Sequence, residues 1–443
     1  MTELKRDLGL WGAASIGIGA IIGTGIFVLL GVAAGLAGPS VIFSFMIAGL
    51  TALLTGLSSA ELSSFITEAG GSYIYTTKAF GRLPGFIIGW LVSFDYIVGS
   101  SAVSIGFASY FTYFLHLPPI QSTIVAVAIV WPLILMILNL KGIKEASGAN
   151  NGLVFLKVSA LILFIIVGTT YIFGHHNLSN YIPFFPTGIN GMLSGAAIIF
   201  FAFIGFNTVT MAAEEIKDPQ KNVPRAVLLA FAVCTLLYIL VALVAVGLLN
   251  WQILGMSAAP VEAALTVATN NFWILEFVAI SALFATTSVI LSSIIGGSRA
   301  LFSMSRHKSL PVIFSRISKN GVPLFTVIIS GISISLIILV SYGNLDQLAS
   351  IFNFGTLLTF IFINLSLLKL RRSLPNIERR FKVPYYPLTP ILGIISCVGL
   401  AFYLNHNSLI YGGSWVLIGI VIFLLNRWRL KRKNEKLGKI IKW

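Results

Sequence analysis

The sequence predicts an all-α membrane protein that crosses the bilayer twelve times. Three observations carry that prediction. Of the 443 residues, 57% are hydrophobic and 10% are charged, whereas a soluble domain carries about 25% charged residues. Twelve apolar runs are each long enough to cross about 30 Å of hydrocarbon. The loops between them alternate, one set holding Lys and Arg and the other holding neither.

The runs fall at 10–37, 41–66, 84–115, 121–140, 150–173, 190–213, 224–249, 272–304, 323–341, 346–369, 386–404 and 409–427. Ahead of them, Met1 to Asp7 is short and polar and is read as no removable signal peptide. Lys78 and Arg82 follow span 2, Lys141 and Lys144 follow span 4, and Lys217, Lys221 and Arg225 follow span 6. Arg306, Lys308, Arg316 and Lys319 follow span 8, and Lys369 through Lys382 follow span 10. The loops after spans 1, 3, 5, 7, 9 and 11 hold no Lys or Arg. Positive charge stays on the cytoplasmic side, so both termini are expected there, in a multi-pass protein of the cell membrane.

The net charge of +15 does not form a basic stripe, and no nucleic-acid partner is expected. Eight of the cations lie from Arg427 to Lys442, where they suit orientation and contact with anionic lipid headgroups. Cys234 and Cys397 lie in separate spans, with no metal spacing and no expected disulfide. His175 and His176 are read as solvated loop residues. No metal or cofactor is expected.

Twenty-seven of the 29 Lys and Arg residues belong to a terminus or to an alternate loop, and Arg299 sits near the inner end of span 8. Lys157 fits neither description. It sits in the apolar run from Gly152 to Val167, where a charge costs a few kcal/mol or more unless something polar faces it. Either it snorkels to the nearby cytoplasmic interface or it marks a functional site. Asp95, in Trp90-Leu-Val-Ser-Phe-Asp-Tyr96, is a second charge at mid-span. Glu61 is placed at the interface at the inner end of span 2, and Glu276 in the first outer turn of span 8, where a helix N-terminus favours an acid. Glu214 and Glu215, at the inner end of span 6, are read as fixing the inner loop through pairs with Lys or Arg, or as serving an inner gate.

Span 1 reads Gly17-Ile-Gly-Ala-Ile-Ile-Gly-Thr-Gly-Ile-Phe27. Each glycine costs a helix about 1 kcal/mol against Ala. Span 6 carries Gly205 near its middle, and each of these spans opens a set of five. Glycine-interrupted segments at matching places in two halves point to a transporter binding site, although small residues also serve tight helix packing. An unwound helix bares N–H groups that attract a carboxylate and carbonyls that accept from an ammonium. An α-amino acid presents both groups.

At these residues the chain resembles the amino acid–polyamine–organocation transporter superfamily. The likeness rests on five motifs in order. They are Gly19-Ala-Ile-Ile-Gly-Thr-Gly-Ile-Phe27; Ala60-Glu-Leu with Glu68-Ala-Gly-Gly-Ser-Tyr-Ile-Tyr75, Ala79-Phe-Gly81 and Gly85-Phe-Ile-Ile-Gly-Trp90; Phe203-Ile-Gly-Phe206 with Glu214-Glu-Ile-Lys-Asp-Pro-Gln-Lys-Asn-Val-Pro-Arg-Ala226; Ser298-Arg-Ala-Leu-Phe-Ser-Met-Ser-Arg306; and Phe381-Lys-Val-Pro-Tyr-Tyr-Pro-Leu-Thr-Pro390. Two positions depart from the family pattern: Thr67 stands where many relatives have Pro, and Asn207 where many have Asp.

The resemblance implies the leucine-transporter-like fold within a single domain over residues 1–443. Repeat one would cover 8–175, an inverted repeat two 188–370 and a helix pair 384–428, with a basic tail over 429–443. Spans 1 and 6 would be broken at Gly23, Gly25 and Gly205. The substrate carboxylate would meet span 1 backbone at Thr24 and Gly25, and the ammonium would meet carbonyls of Ile21, Ala202, Phe203 and Ile204. Phe206 would cover the site as a gate. Thr286, Ser101 and Asn353 are further candidates for the pocket wall. Lys157 would replace a sodium ion, bonding span 1 carbonyls and the span 8 hydroxyls of Thr287 and Ser288. Asp95 and Lys157 together would be a proton relay or a static ion pair, or Asp95 would be unpaired or face a cavity.

The expected function is secondary transport of amino acids by alternating access, proton-coupled or sodium-independent. Spans 1, 2, 6 and 7 would rock against a scaffold that includes spans 3 and 8. The alternatives are an amino acid exchanger of the same fold and a sensor that binds without moving its ligand. An enzyme is not expected, because the chain has no His-Glu-x-x-His, Gly-x-Ser-x-Gly or intramembrane Asp pair. A channel is disfavoured, since broken helices around a closed site do not make a pore.

Overall fold

Two apolar helices stop part-way along their spans, and the rest of the bundle is arranged around those stops. The architecture comes from a computed structural model, described for residues 8–440 apart from 67, 69, 119, 141–146, 176–177, 207, 210–215, 308 and 319–321. The side chains of 24, 147–151 and 430–440 are likewise not described. Glu214, Glu215, Asn207 and His176 lie outside the described residues, as does the side chain of Thr24.

The first span is three pieces: α1 (Leu10–Ile21), α2 (Thr24–Phe27) and α3 (Leu29–Ala37). A 3₁₀ turn, Gly38–Ser40, leads into α4 (Val41–Phe65). Then come α5 (Ser72–Phe80), α6 (Arg82–Phe114), α7 (Gln121–Leu140) and α8 (Ser147–His175). The sixth span begins as α9 (Gly188–Ile199), tightens into a 3₁₀ turn at Phe200–Phe203 and then unwinds. It is followed by α10 (Pro219–Leu248), α11 (Trp251–Met256), α12 (Pro260–Ala268) and α13 (Phe272–Arg306). The chain finishes with α14 (Leu324–Ser341), α15 (Leu345–Ser373), α16 (Leu388–Ala401) and α17 (His406–Ile440).

Among the described residues, nine helical stretches are long and apolar enough to cross a membrane. One of them, Leu29–Phe65, runs from α3 through the 3₁₀ turn and α4. Three shorter apolar helices stand where spans 1, 6 and 11 were expected: Leu10–Ile21, Gly188–Phe203 and Leu388–Ala401. The first two are short because their spans are interrupted. Leu, Ile and Phe side chains stay exposed along these helices, including Phe155, Ile166, Leu236, Leu336 and Leu417. Such a surface suits hydrocarbon, not water.

Packing sorts the helices into two groups. The first joins α1 to α10, α4 to α9 and α10, and α3 to α9. In the second, α6 lies along α13, and α7 lies along α14. Helix α15 bridges the groups by touching both α4 and α6. Small residues permit the close approaches: a Cβ on Gly17 of α1 would lie 2.9 Å from both Ala230 of α10 and Val209.

The face carrying the Lys- and Arg-rich loops is termed the inner face. Glu61, expected at the interface, is fully buried there. Its carboxylate accepts from Arg371 Nε at 2.6 Å, from Arg371 Nη2 and from the Val383 backbone N–H at 2.6 Å, with Arg379 Nε 3.5 Å away. The last turn of α15 supplies Arg371, and the segment after it folds back over the inner end of α4 with Arg379 and Val383, removing Glu61 from water. Glu276 also departs from expectation. It lies past the first turn of α13 and is buried.

Candidate functional site

Helix α1 ends at Ile21, and Ile22 turns extended at ψ 103°. The Ile22 N–H still reaches the Ile18 carbonyl at 2.8 Å. Beyond it, the N–H groups of Gly23, Gly25 and Ile26 make no backbone hydrogen bond outside the helices among the described residues. A helix leaves its first four N–H groups and last four carbonyls without helical partners. A break within a span therefore places both sets at one depth, where each must find a partner.

The second break lies against the first. After the 3₁₀ turn, Ile204 is extended at ψ 122°. A Cβ on Gly205 would stand 2.6–2.8 Å from the backbone of Ala20 and Ile21. A Cβ on Gly25 would stand 2.3 Å from Cα and Cβ of Ala202. Only hydrogen fits at either position, so these glycines serve a close backbone approach. Ile21, Gly25, Ala202, Phe203, Ile204 and Gly205 are thereby brought to one place. Phe206 is buried and wedged between Phe231 of α10 and Phe360 of α15, with ring centroids at 5.2 and 5.4 Å.

Lys157 is 2% exposed. Its Nζ donates to the Gly19 carbonyl at 3.0 Å and to Ser288 Oγ at 2.8 Å. Gly19 lies in the last turn of α1, the negative end of that half-helix, where a cation is favoured. The side chain of Lys157 is thus turned inward instead of snorkelling. Thr287 does not join Ser288. One residue along a helix is about 100° of rotation, so the Thr287 hydroxyl faces α7 and accepts from Trp131 Nε1 at 3.2 Å.

Asp95 is not brought to Lys157 among the described contacts. Its Oδ2 accepts from Thr356 Oγ1 at 3.1 Å on α15. A Cβ on Gly355 would come 2.1 Å from Oδ1. Asp95 lies on the side of α6 that faces α15, while Lys157 reaches towards α1 and α13. Three other candidates are also occupied within the protein. Thr286 donates to Ala282 and Leu283 of its own helix. Ser101 donates to Ile97 and to Ile334 of α14. Asn353 Nδ2 donates to the carbonyls of Ala197 and Ile198, at 2.7 and 3.0 Å, where α9 begins to tighten.

Two tyrosines escaped the sequence reading. Tyr238 of α10 donates to the Ile21 carbonyl at 2.8 Å. Tyr110 of α6 donates to the Phe27 carbonyl at 2.7 Å. Each serves a carbonyl of span 1. Their signal was a phenol in an apolar span, which must find a partner when buried, but the sequence does not say which one.

A separate cleft of about 580 Å³ opens at the inner face, lined by Asp218, Lys221, Arg225 and Arg380 among others, and it shares no lining residue with the breaks. Metal-holding groups of three or more His, Cys, Asp or Glu are absent among the described residues.

The helical bundle and its two abutting breaks are those of a multi-pass membrane transport family. The chain matches the amino acid permease family over residues 12–425 and belongs to it, within the amino acid–polyamine–organocation superfamily. It is 37% identical to the branched-chain amino acid permease BcaP of Bacillus subtilis (strain 168), across 99% of this chain and 95% of that protein. It is 34% identical to the methylthioribose transporter of the same organism, across 99% and 96%. It is 32% identical to the vacuolar cationic amino acid transporter 2 of Arabidopsis thaliana, across 84% of this chain and 61% of that longer one.

Proposed function

We propose that this chain is a proton-coupled secondary transporter of neutral, branched aliphatic amino acids across the cell membrane. It works by alternating access through twelve spans, in two inverted five-helix repeats with both termini cytoplasmic. The observation that carries the reading is the contact between the two breaks. The N–H groups of Gly23, Gly25 and Ile26 lie where the backbone of Gly25 meets Ala202 and that of Gly205 meets Ala20 and Ile21, and N–H groups of one break with carbonyls of both would suit the two ends of a zwitterion. Close packing of Gly25 on Ala202 and of Gly205 on Ala20 corresponds to a closed site, which opens when the two helix groups rock apart.

The substrate class follows from what surrounds the breaks. Ile21, Ile22, Ala202, Phe203 and Phe206 are apolar and buried. Asp95, the mid-span carboxylate, is engaged with Thr356. A cationic side chain therefore has no evident counter-charge among these residues. A relative named for branched-chain amino acids supports the same choice.

Lys157 carries the coupling in this reading. Protonated, it ties α8 to the end of α1 and to Ser288. Neutral, it releases them. The test is uptake of leucine, isoleucine and valine into proteoliposomes under an inward proton gradient, with arginine and methylthioribose as competitors. Gradient-driven accumulation of the aliphatic set by wild type, abolished in Lys157→Ala while counterflow persists, is the expected result. Undiminished accumulation by Lys157→Ala removes the coupling role. Absence of counterflow for every amino acid removes transport and leaves a sensor.

A further inference from the structure

Helix α12 lies in the connection between α10 and α13, on the face opposite the basic loops. Its Glu262 is 0% exposed, yet neither carboxyl oxygen has a donor in hydrogen-bonding geometry. A buried, unpartnered carboxylate costs several kcal/mol, so the group needs a proton or a cation. Around it the protein places a second acid, not a base. Glu276 of α13 is buried beside it and repels its charge, with Oε2 also lacking a donor. Tyr113 of α6 turns its hydroxyl towards Glu262. His116 stands at the rim, its Nε2 3.9 Å from Glu276 Oε1 and its side chain 72% exposed.

The other elements packed on α12 bring no charge to it. Helices α3 and α11 contain no ionisable residue. On α10, Tyr238 is bonded to Ile21 and Cys234 is a buried thiol, while Lys221 and Arg225 line the cleft at the opposite, inner face. At the outer end of α8, Tyr171 and His175 stack on each other. Two buried carboxyls that repel each other are costly to ionise together, so one of them takes up a proton. Burial first, and Glu276 second, push the Glu262 carboxyl up to about 8.

The site is joined to span 1. The Tyr110 hydroxyl lies against the backbone of Val261 and Glu262 and donates to the Phe27 carbonyl at the end of α2. Whatever seats the start of α12 therefore also bears on the outer half of the broken helix.

We propose that Glu262 and Glu276 form a proton-binding site at the outer face, and that the bound proton keeps α12 seated on α6 and α13 as a cover over the outer half of span 1. Loss of the proton places two like charges in the enclosure, and α12 lifts. The gate's purpose rests on the transport reading, but the proton site does not. It accepts a proton and no other ligand is required.

The test is hydrogen–deuterium exchange on the full chain in lipid nanodiscs between pH 6 and 9, corrected for intrinsic rates and read over residues 251–268. No transport substrate is present, so failure here is distinct from failure of the transport reading. His116 is a further ionisable side chain at the rim, so every series is repeated in a His116→Asn background. Wild-type protection is expected to fall tenfold or more as the pH rises, and Glu262→Gln to stay protected throughout. Glu276→Gln, which removes the like charge, is expected to move the midpoint to lower pH. That shift is a readout a merely structural role would not give, and it keeps the proposal falsifiable should Glu262→Gln fail to fold. Flat wild-type protection, an unchanged pH response in Glu262→Gln, or an unmoved midpoint in Glu276→Gln overturns the proposal.

Discussion

Replacing Gly25 by Ala adds one methyl group where the two broken spans meet. The new Cβ would stand 2.3 Å from both Cα and Cβ of Ala202. Carbon atoms pack at about 3.5–4.0 Å, so the chains must part by about 1.2–1.7 Å. Ala202 Cα belongs to the backbone, so no side-chain rotation relieves the clash. Overpacking of this kind costs about 1–3 kcal/mol. If the cost falls on the closed, ligand-gripping form, affinity drops by roughly 5- to 150-fold, since 1.4 kcal/mol is tenfold. The assay is substrate counterflow in proteoliposomes, with KM measured beside thermal stability of the purified protein. Gly413→Ala is the control, because nothing lies within 4 Å of a Cβ there. A wild-type KM in Gly25→Ala, with normal stability, would refute the argument that the breaks form the binding site.

Glu61→Gln leaves Arg371 and Arg379 without their buried counter-charge and is expected to cost about 3–5 kcal/mol, read as a lowered unfolding temperature with substrate specificity unchanged. Tyr238→Phe removes the bond to the Ile21 carbonyl, worth about 0.5–1.5 kcal/mol, and is expected to alter KM more than expression; an unchanged KM would separate Ile21 from the site. Ser288→Ala removes one partner of Lys157 and is expected to shift the pH profile of uptake, whereas Thr287→Ala, which loses only a bond to Trp131, is not. Global stability should also track Glu262. Its pKa is raised from 4.5 to about 8, so its contribution is fully present below pH 4.5 and is lost as pH rises towards 8. The whole loss is at most about 5 kcal/mol, at about 1.4 kcal/mol per pKa unit. A chemical-denaturation series for wild type and Glu262→Gln checks the slope.

Among the described residues, the nine helical stretches long enough to cross a membrane all fall on the apolar runs, because span length and mean hydropathy are properties of contiguous residues. The interruptions at Gly23 and Gly205 were equally legible, since glycine weakens a helix wherever it stands. The short helices α5, α11 and α12 were not foreseen, as they lie in stretches that read only as loops. Lys157 was marked by its setting alone. Both Thr287 and Ser288 were expected to bond it, and rotation about α13 brings Ser288 to Lys157 while turning Thr287 to Trp131. Asp95 looked like its natural partner because both are charges in apolar spans, yet they point to different neighbours. Glu262 drew no notice, because an acid in a polar outer loop is ordinary until the loop folds inward.

Local chemistry along the chain thus determined the class of protein, the number of apolar runs and the two places where helices stop. The pairing of side chains was decided only by the tertiary structure: Lys157 on Gly19, Asp95 on Thr356, Arg371 on Glu61, and Glu262 beside Glu276. Three of these pairs join residues more than 100 positions apart. A buried charge announces that it needs a partner, but the direction in which its helix faces selects the partner, and that direction is set by packing.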